Sequence, residues 1–171
     1  MAQLFLLRHA KSDWRDISVA DHDRPLNERG HRAATMMGLF AKVRKIKPAL
    51  VLCSTATRAR MTLDAVMTAG GLDWPVQFEP SLYGASASEI LRTVHHEAGE
   101  QPSVLLVGHN PGFHEAALLL TQEGAPDDLA NLRTKYPTCS LCEIKFAGPD
   151  LSNIGPSTGE LVQFVRPRDL S

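Results

Sequence analysis

The sequence predicts an α/β fold, with a mostly parallel central sheet in a three-layer α/β/α arrangement. Short apolar runs that suit buried strands alternate with longer segments of helical periodicity. Such alternation is typical of a parallel sheet covered by helices on both faces. Three of the apolar runs lead into segments that carry arginine or histidine. Because parallel strands end at the same edge of a sheet, we expect these side chains to converge there.

Composition limits the class of protein. The 171 residues carry a net charge of −1 and are 43% hydrophobic, which predicts one globular domain over residues 1–171. The balanced charge predicts no nucleic-acid partner. No apolar run approaches the roughly 18 residues of a membrane span, and no secretory leader is evident. We therefore expect a cytoplasmic protein without a membrane segment, and we interpret Cys53, Cys139 and Cys142 as reduced thiols.

The first part of the chain predicts two strand–helix units. Residues 3–7 suit a strand, and a polar loop over residues 10–26 follows. Asn27 is a predicted N-cap for a helix that extends to about Lys45. Ala49–Cys53 suits the second strand. Thr57 begins a second helix, which Gly70 and Gly71 stop.

The second part continues the alternation and then changes to strands. Ser86 and Glu89 form a predicted capping box for a third helix. Pro111 suits the first turn of a fourth helix, which extends to about Glu123. The remaining predictions are strands at 76–78 and 104–107, a loop with room for a short helical turn at 124–137, and an antiparallel pair of strands at 141–146 and 161–165.

Three short motifs follow the predicted strands. Arg8-His9-Ala10 follows the first strand, residues 54–58 place an arginine after the second, and Gly108-His109-Asn110 follows the fourth. Arginine presents paired donors that match phosphate oxygens, and histidine can carry a phosphoryl group covalently. The sequence has neither a phosphate-binding loop of the G-x-x-x-x-G-K-[ST] type nor a compact set of metal ligands. We therefore predict phosphoryl chemistry without a metal or another cofactor.

These motifs resemble those of a known family. Arg8-His9-Ala10 resembles the Arg-His-Gly signature of the histidine phosphatase superfamily, which has the phosphoglycerate mutase-like fold. Residues 54–59 are similar to its Ser-x-x-x-Arg-Ala element, and residues 108–110 to its second-histidine element. The order and spacing match across nearly the whole chain. The short length and the segments 24–30 and 82–85 resemble the small SixA-type phosphohistidine phosphatases.

The resemblance implies a role for four residues. His9 would be the nucleophile that becomes phosphorylated, and Arg8, Arg58 and His109 would bind the phosphoryl oxygens. Water would then release inorganic phosphate. His9 must be neutral to attack, and neighbouring cations lower the pKa of a histidine. Ala10 departs from the glycine of the signature and makes the backbone there less permissive.

The proton donor for the leaving group stays open at this stage. Many members of the superfamily use a glutamate, and Glu79 lies in about the corresponding stretch. Asp13, Asp21 and Asp23 in the predicted loop are alternatives. A phosphohistidine substrate has less need of a strong acid, because its P–N bond is labile.

Further candidates flank the motifs. Lys11, Arg24 and Asn110 are predicted to contact the substrate; the alternatives are a surface ion pair for Arg24 and a helix cap for Asn110. Trp14 is a candidate wall of the site. We interpret the remaining histidines as exposed or structural.

The preferred function is a protein phosphohistidine phosphatase in signal transduction, which acts on a phosphorelay protein such as a histidine phosphotransfer domain. A small-molecule phosphomonoester phosphatase or mutase of the same superfamily is the first alternative. A non-catalytic module that binds phosphorylated partners is the second. Binding alone does not require a nucleophile, so the presence of His9 favours an enzyme.

Overall fold

Seven strands form one sheet in the order β3-β2-β4-β1-β6-β7-β5 in the computed structural model, which describes residues 1–171. The strands are β1 (Ala2–Arg8), β2 (Leu50–Cys53), β3 (Val76–Phe78), β4 (Ser103–Gly108), β5 (Thr121–Gly124), β6 (Leu141–Phe146) and β7 (Gly159–Val165). Strand β1 pairs in parallel with β4, β4 with β2, and β2 with β3. Only β6 is antiparallel to its neighbours, so the prediction of a mostly parallel sheet is confirmed.

Helices cover both faces of this sheet. Their bounds are α1 (Glu28–Val43), α2 (Thr57–Gly70), α3 (Ala87–Ala98), α4 (Gly112–Leu120) and α5 (Pro126–Thr134). Side chains of consecutive strand residues point to opposite faces. In β1, Leu6 accordingly packs in one buried cluster with residues of α3, α4 and α5, whereas Leu7 packs in a second cluster with residues of α1 and α2. The three-layer prediction is confirmed.

Local signals set several element ends as predicted. The Asn27 side chain accepts a hydrogen bond from the Gly30 amide at 2.8 Å and caps α1. Ser86 and Glu89 form the reciprocal capping box of α3. Helix α2 ends at Gly71, whose φ of 60° lies in the left-handed region that glycine tolerates.

The region after His109 differs from the prediction. Helix α4 ends at Leu120 rather than near Glu123, and Thr121–Gly124 pairs in parallel with β7 as an edge strand. Residues 126–134, predicted as loop with room for only a short helical turn, form the nine-residue helix α5. Pairing with the edge of β7 outweighs the helical preference of residues 121–123, because tertiary contacts override local propensity.

The last antiparallel pair is confirmed: β6 begins at Leu141, as predicted, and β7 begins at Gly159, two residues earlier than predicted. Strand β6 starts at Leu141, because Cys139 adopts a left-handed φ of 60° and its amide is shared between the carbonyls of Arg8 and His9, at 3.1 and 3.0 Å. This turn ties the segment before β6 to the end of β1.

Sheet hydrogen bonding continues into the loops beyond the strands. The His9 amide donates to the Gly108 carbonyl, and the Ser54 amide donates to the Val107 carbonyl, both at 2.9 Å. These bonds fix the residues that follow β1, β2 and β4 relative to one another at one edge of the sheet. None of the helices is both long and apolar enough to cross a membrane.

Candidate active site

The structure brings Arg8, His9, Arg58 and His109 into one cluster at this edge. His9 follows β1, His109 follows β4, and Arg58 lies in the first turn of α2. The two imidazole rings have centroids 5.2 Å apart and planes inclined by 51°. His9, Arg58 and His109 are each at most 9% exposed. Two guanidinium groups and two imidazoles from distant parts of the chain therefore share one nearly buried location.

His9 is held in a defined tautomer. Its Nδ1 lies 2.7 Å from the Ala10 carbonyl oxygen. Because a carbonyl only accepts, Nδ1 carries the proton, and the lone pair of the neutral ring is on Nε2. Burial and then the charges of Arg58 and Arg8 lower the pKa of His9 to about 4, against the opposing effect of the Ala10 hydrogen bond. At neutral pH, His9 has the ionisation state that a nucleophile requires.

His109 is also held neutral. Its Nε2 lies 2.7 Å from the Ser54 hydroxyl, which ties the ends of β4 and β2 together. Burial lowers the pKa of His109 to about 3, and the charges of His9 and Arg58 add to this effect. Its Nδ1 is buried without a hydrogen-bond partner. Burial of an unpaired polar atom is unfavourable. When the Ser54 hydroxyl donates to Nε2, the neutral ring carries its proton on Nδ1, which can then donate to an oxyanion.

The two arginines of the cluster have different partners. Arg8 donates from Nη1 to the Tyr136 carbonyl at 2.8 Å, and its buried Nε has no partner. Burial lowers the pKa of Arg8, and nearby Arg58 contributes to this shift. Arg58 donates to the Asp21 carbonyl at 2.7 Å and to the Asp21 carboxylate at 3.1 Å. The electrostatic field between the two guanidinium groups favours an anionic ligand.

Thr62, which the sequence did not indicate as a site residue, connects the backbone after His9 to α2. Its fully buried hydroxyl accepts from the Ala10 amide at 2.9 Å and donates to the Arg58 carbonyl at 2.7 Å. One hydroxyl thus fixes the backbone after His9 against the turn of helix that carries Arg58. In the sequence, one feature links Thr62 to the site. It lies four residues after Arg58 and therefore on the same face of the predicted helix.

Asp21 joins the cluster as a bound carboxylate. It accepts from Arg58, from Arg24 at 3.1 Å and from the Tyr83 hydroxyl. The Tyr83 hydrogen bond, followed by those of the arginines, holds the pKa of Asp21 well below its usual range. Asp21 therefore stays ionised at neutral pH, which removes it as a proton donor there.

Tyr83 forms a wall of the site. Its ring meets His109 edge-on at 5.4 Å between centroids, and it meets His22 edge-on at 4.9 Å. His22, which the sequence placed outside the site, is partly buried here, with Nε2 3.0 Å from the Thr55 hydroxyl. In the sequence, Tyr83 is indicated only by the resemblance of segment 82–85 to the SixA-type phosphatases.

The three further candidates for substrate contact make no side-chain hydrogen bond to Arg8, His9, Arg58 or His109. Arg24 stacks on the Trp14 ring at 3.5 Å and supports Asp21. Asn110 donates to the Tyr136 carbonyl at 3.0 Å and accepts from the amide of His114 in α4. Lys11 is exposed and lines a neighbouring pocket. Arg24 and Asn110 therefore support the site through Asp21 and Tyr136.

The structure does not bring Glu79 into the cluster. Its carboxylate accepts from the amide and hydroxyl of Ser81, so it caps the short turn that follows β3. Asp13 pairs with Arg15, which lowers the pKa of Asp13 to about 2. Asp23 lies 3.6 Å from a ring nitrogen of His22. None of these three carboxylates forms a hydrogen bond or an ion pair with His9 or His109.

The arrangement can bind a tetrahedral oxyanion and offer it an uncharged nitrogen nucleophile. Such a site, at the carboxyl edge of a three-layer α/β sheet, defines a class of proteins that act on phosphoryl groups through histidine. Residues 4–89 match the family model described as the histidine phosphatase superfamily (branch 1). The chain belongs to this superfamily.

Relatives and solved structures agree with this membership. An uncharacterized protein of Mycobacterium tuberculosis is 34% identical over 164 residues, which cover 95% of this chain and all of the relative. Candidate SixA phosphohistidine phosphatases from Nakamurella multipartitia and Agrobacterium tumefaciens are each 30% identical, with TM-scores of 0.78 and 0.79. Each alignment covers 97% of this chain, with 96% and 99% of the respective structures. Family and neighbours together support a phosphatase, which is a hydrolase.

Proposed function

We propose that this chain is a metal-independent protein phosphohistidine phosphatase that works through a covalent phosphoryl intermediate on His9. The observation that carries the proposal is the fixed tautomer of His9. Its Nδ1–H is held by the Ala10 carbonyl at 2.7 Å, so the lone pair on Nε2 is free within a cluster that contains Arg8, Arg58 and His109. A protein phosphohistidine from a phosphorelay is the proposed substrate, which would place the enzyme in cytoplasmic signal transduction.

The reaction has two displacement steps. The lone pair on Nε2 of His9 forms a P–N bond, while the P–N bond of the substrate breaks and its electron pair returns to the substrate imidazole. Water then attacks the phosphorus, the bond to His9 breaks, and inorganic phosphate and a proton are released. Arg8, Arg58 and His109 bind the three equatorial oxygens, whose charge changes during each transfer.

The carboxylates around the site favour a nitrogen leaving group. An alkoxide leaving group needs a positioned acid whose pKa is near the working pH. Asp21 is held ionised by Tyr83 and the arginines, and Glu79 caps its own turn. The imidazole of a phosphohistidine can take a proton from solvent on its other ring nitrogen before the P–N bond breaks. Hydrolysis of phosphohistidine therefore requires least from the residues present.

The surface around the site suits a phosphoryl group presented by a protein. The Asp21 side chain is 50% exposed and Tyr83 is 37% exposed. Trp14, on the loop that leads from His9 to Asp21, is 60% exposed. The mouth of the cluster is thus lined by accessible side chains from residues 10–26 and 80–85, which a protein surface can contact.

The experiment compares two substrates. A histidine phosphotransfer domain phosphorylated on its histidine and a generic aryl phosphate are each incubated with wild-type protein, with His9→Ala, and with His31→Ala as the matched control on exposed α1. We expect wild type to dephosphorylate the domain with the higher kcat/KM. His9→Ala should lose about 10³-fold or more on both substrates, as is usual for a removed nucleophile, while His31→Ala retains the wild-type rates.

Several outcomes would contradict the proposal. Wild-type rates for a folded His9→Ala protein would exclude the nucleophile. A higher kcat/KM for the aryl phosphate would favour a small-molecule phosphatase, and transfer of phosphate from a long-lived phosphoenzyme to a sugar acid would favour a mutase. Phosphate-dependent binding without turnover would indicate a binding module. Strong loss of activity with a chelator would show that a metal is required.

A further inference from the structure

A second cationic region lies beside the active-site cluster. It is a pocket of about 280 Å³, and we call it the basic pocket. Its lining includes the charged side chains of Lys11, Arg29, Lys135, Arg166 and Arg168. Neither the reaction nor the hydrogen bonds of the active-site cluster use these five side chains.

Topology places the basic pocket at the same edge of the sheet as His9. Lys11 follows the carboxyl end of β1, and Arg166 follows the carboxyl end of β7. Lys135 precedes β6, which is antiparallel to both strands, so it too lies at this edge. Helix α1 lines the pocket with Arg29 and packs closely against the Lys11 backbone. A Cβ at Gly30 would lie 2.2 Å from the Lys11 carbonyl oxygen, an approach that only glycine permits. The basic pocket therefore continues the active-site edge from β1 towards β7.

The positive charge of the basic pocket is largely uncompensated. Arg166 pairs with Asp169 at 2.9 Å. Lys11, Arg29, Lys135 and Arg168 make no ion pair, although the whole chain has a net charge of −1. Four unpaired cations on separate segments around one concavity produce a local positive potential, which attracts acidic ligands.

We propose that the basic pocket docks an acidic surface of the phosphorylated protein substrate while its phosphohistidine enters the active-site cluster. This inference rests on the proposed function and adds the feature by which the substrate is recognised. The docking contact raises the encounter rate and orients the phosphohistidine, and it takes no part in the chemistry.

The exposure of the cations favours a protein ligand over a small anion. Arg58 of the active-site cluster is 9% exposed, as suits a site that encloses one phosphoryl group. By contrast, Lys11, Arg29, Lys135 and Arg168 are all exposed. Exposed cations act over distance and at the rim of an interface, where long side chains meet carboxylates of a partner.

Apolar side chains on the adjoining loop add the second component of a protein interface. Trp14 is 60% exposed and Ile17 is 90% exposed, and both lie on the loop that contains Lys11. Exposed apolar groups beside a charged rim are typical of surfaces that bind proteins. A free phosphate or a small phosphomonoester cannot contact the active-site cluster, the basic pocket and these side chains together.

The test reverses two charges of the basic pocket. Arg29→Glu with Arg168→Glu is compared with Arg32→Glu, a reversal three residues further along α1 at a side chain that does not line the basic pocket. The substrates are an acidic phosphorylated histidine phosphotransfer domain, the same domain with the carboxylates around its histidine replaced by amides, and an aryl phosphate. Thermal unfolding of each variant establishes that it is folded, and Arg29→Gln with Arg168→Gln supplies an intermediate step.

We expect the double reversal to lower kcat/KM for the acidic domain about tenfold at low salt, through KM rather than kcat. The loss should shrink at 0.5 M salt and be at most twofold for the aryl phosphate and for the amide-substituted domain. Arg32→Glu should stay within twofold of wild type throughout.

Equal losses on the acidic domain and the aryl phosphate would overturn the docking role, as would no loss on either. Inhibition by inorganic pyrophosphate is measured for wild type and the double reversal. Weaker inhibition of the double reversal, with an unchanged KM for the acidic domain, would overturn the docking role in favour of a subsite for small anions. If wild type hydrolyses the aryl phosphate but no phosphorylated domain, the proposed function itself fails. If wild type hydrolyses the domain and the double reversal does so equally well, only the docking inference fails.

Discussion

The active-site cluster and the basic pocket share one edge of the sheet and both carry excess positive charge, yet they differ in burial. Arg8 and Arg58 hold fixed hydrogen bonds and lie beside two imidazoles whose pKa values are strongly lowered. In the basic pocket, Lys11 and Arg29 are exposed and unpaired. Burial fixes geometry and ionisation, as chemistry requires, whereas exposure leaves charge that acts at a distance. The following predictions test this difference.

The largest expected effect is the loss of Arg58. Arg58→Ala removes a buried guanidinium from the phosphoryl-binding cluster, and kcat/KM should fall by about 10²–10³ on both substrates. Arg58→Lys should recover little, because an ammonium cannot reproduce the paired donors. Steady-state kinetics measures both variants. The control is Arg60→Ala, two residues further along α2, where the arginine side chain is exposed and stacks on Phe78. Equal losses of kcat/KM in Arg58→Ala and Arg60→Ala would contradict the assignment of Arg58 to the phosphoryl-binding cluster.

The next effect is on stability. The pKa of His9 is about 4 in the folded protein and about 6.5 in the unfolded chain. Between these values the unfolded chain binds a proton that the folded protein does not, so stability falls as the pH drops from 6.5 to 4. The resulting loss of unfolding free energy amounts to about 3 kcal/mol by pH 4, the folded-state pKa. Urea unfolding between pH 7 and pH 4 should show it, and His9→Gln should remove about one proton from the pH dependence. An unchanged slope in His9→Gln would show that His9 is not held neutral by the fold.

A smaller effect is expected at Thr62, which connects the two parts of the active-site cluster. Thr62→Val leaves the buried Ala10 amide without an acceptor, at a cost of about 1–3 kcal/mol in unfolding free energy. Because Ala10 follows His9, the proposed nucleophile, kcat should fall about tenfold while KM changes little. Thr62→Ser retains the hydroxyl and should recover most of the rate. Loss of stability with full kcat in Thr62→Val would reduce Thr62 to a purely structural role.

The smallest effect concerns Asp21, whose charge opposes anion binding at Arg58. In Asp21→Asn the guanidinium of Arg58 loses its anionic partner, so inorganic phosphate should inhibit aryl phosphate hydrolysis about three- to tenfold more strongly. Asp23→Asn is the control, because this neighbouring carboxylate lies near His22 only. Weaker inhibition in Asp21→Asn would mean that Asp21 organises Arg58 rather than competing for it.

The sequence allowed the strand-end residues to be predicted, because each follows an apolar run whose burial is set by local pattern. The strand positions and their parallel arrangement were enough to predict that Arg8, His9 and His109 lie close together. Asp21 and Tyr83 reach the site through the path of irregular loops, which no periodicity specifies. Their mutual contact depends on the folded positions of residues 62 apart in the chain.

The boundary errors have a similar origin. Residues 121–123 follow α4 with no glycine or proline to stop the helix, and pairing with the edge of β7 places them in the sheet instead. Glu79 illustrates the opposite limit. Its place in the sequence fitted a proton donor, but the nearest partner of its carboxylate is Ser81, in its own turn. Local hydrogen bonds to Ser81 hold this side chain in its own turn rather than at the site.

The peptide at Tyr136 belongs to both regions of positive charge. The Tyr136 carbonyl oxygen accepts hydrogen bonds from Arg8 and Asn110, and the buried Tyr136 hydroxyl donates to the Leu6 carbonyl in β1. The preceding residue, Lys135, lines the basic pocket. A substitution in this stretch that changes the preference for a partner is therefore expected to shift the Arg8 guanidinium as well. Changes of specificity are instead expected on α1 and after β7, where Arg29 and Arg168 are exposed and line the basic pocket without contacting Tyr136 by a hydrogen bond.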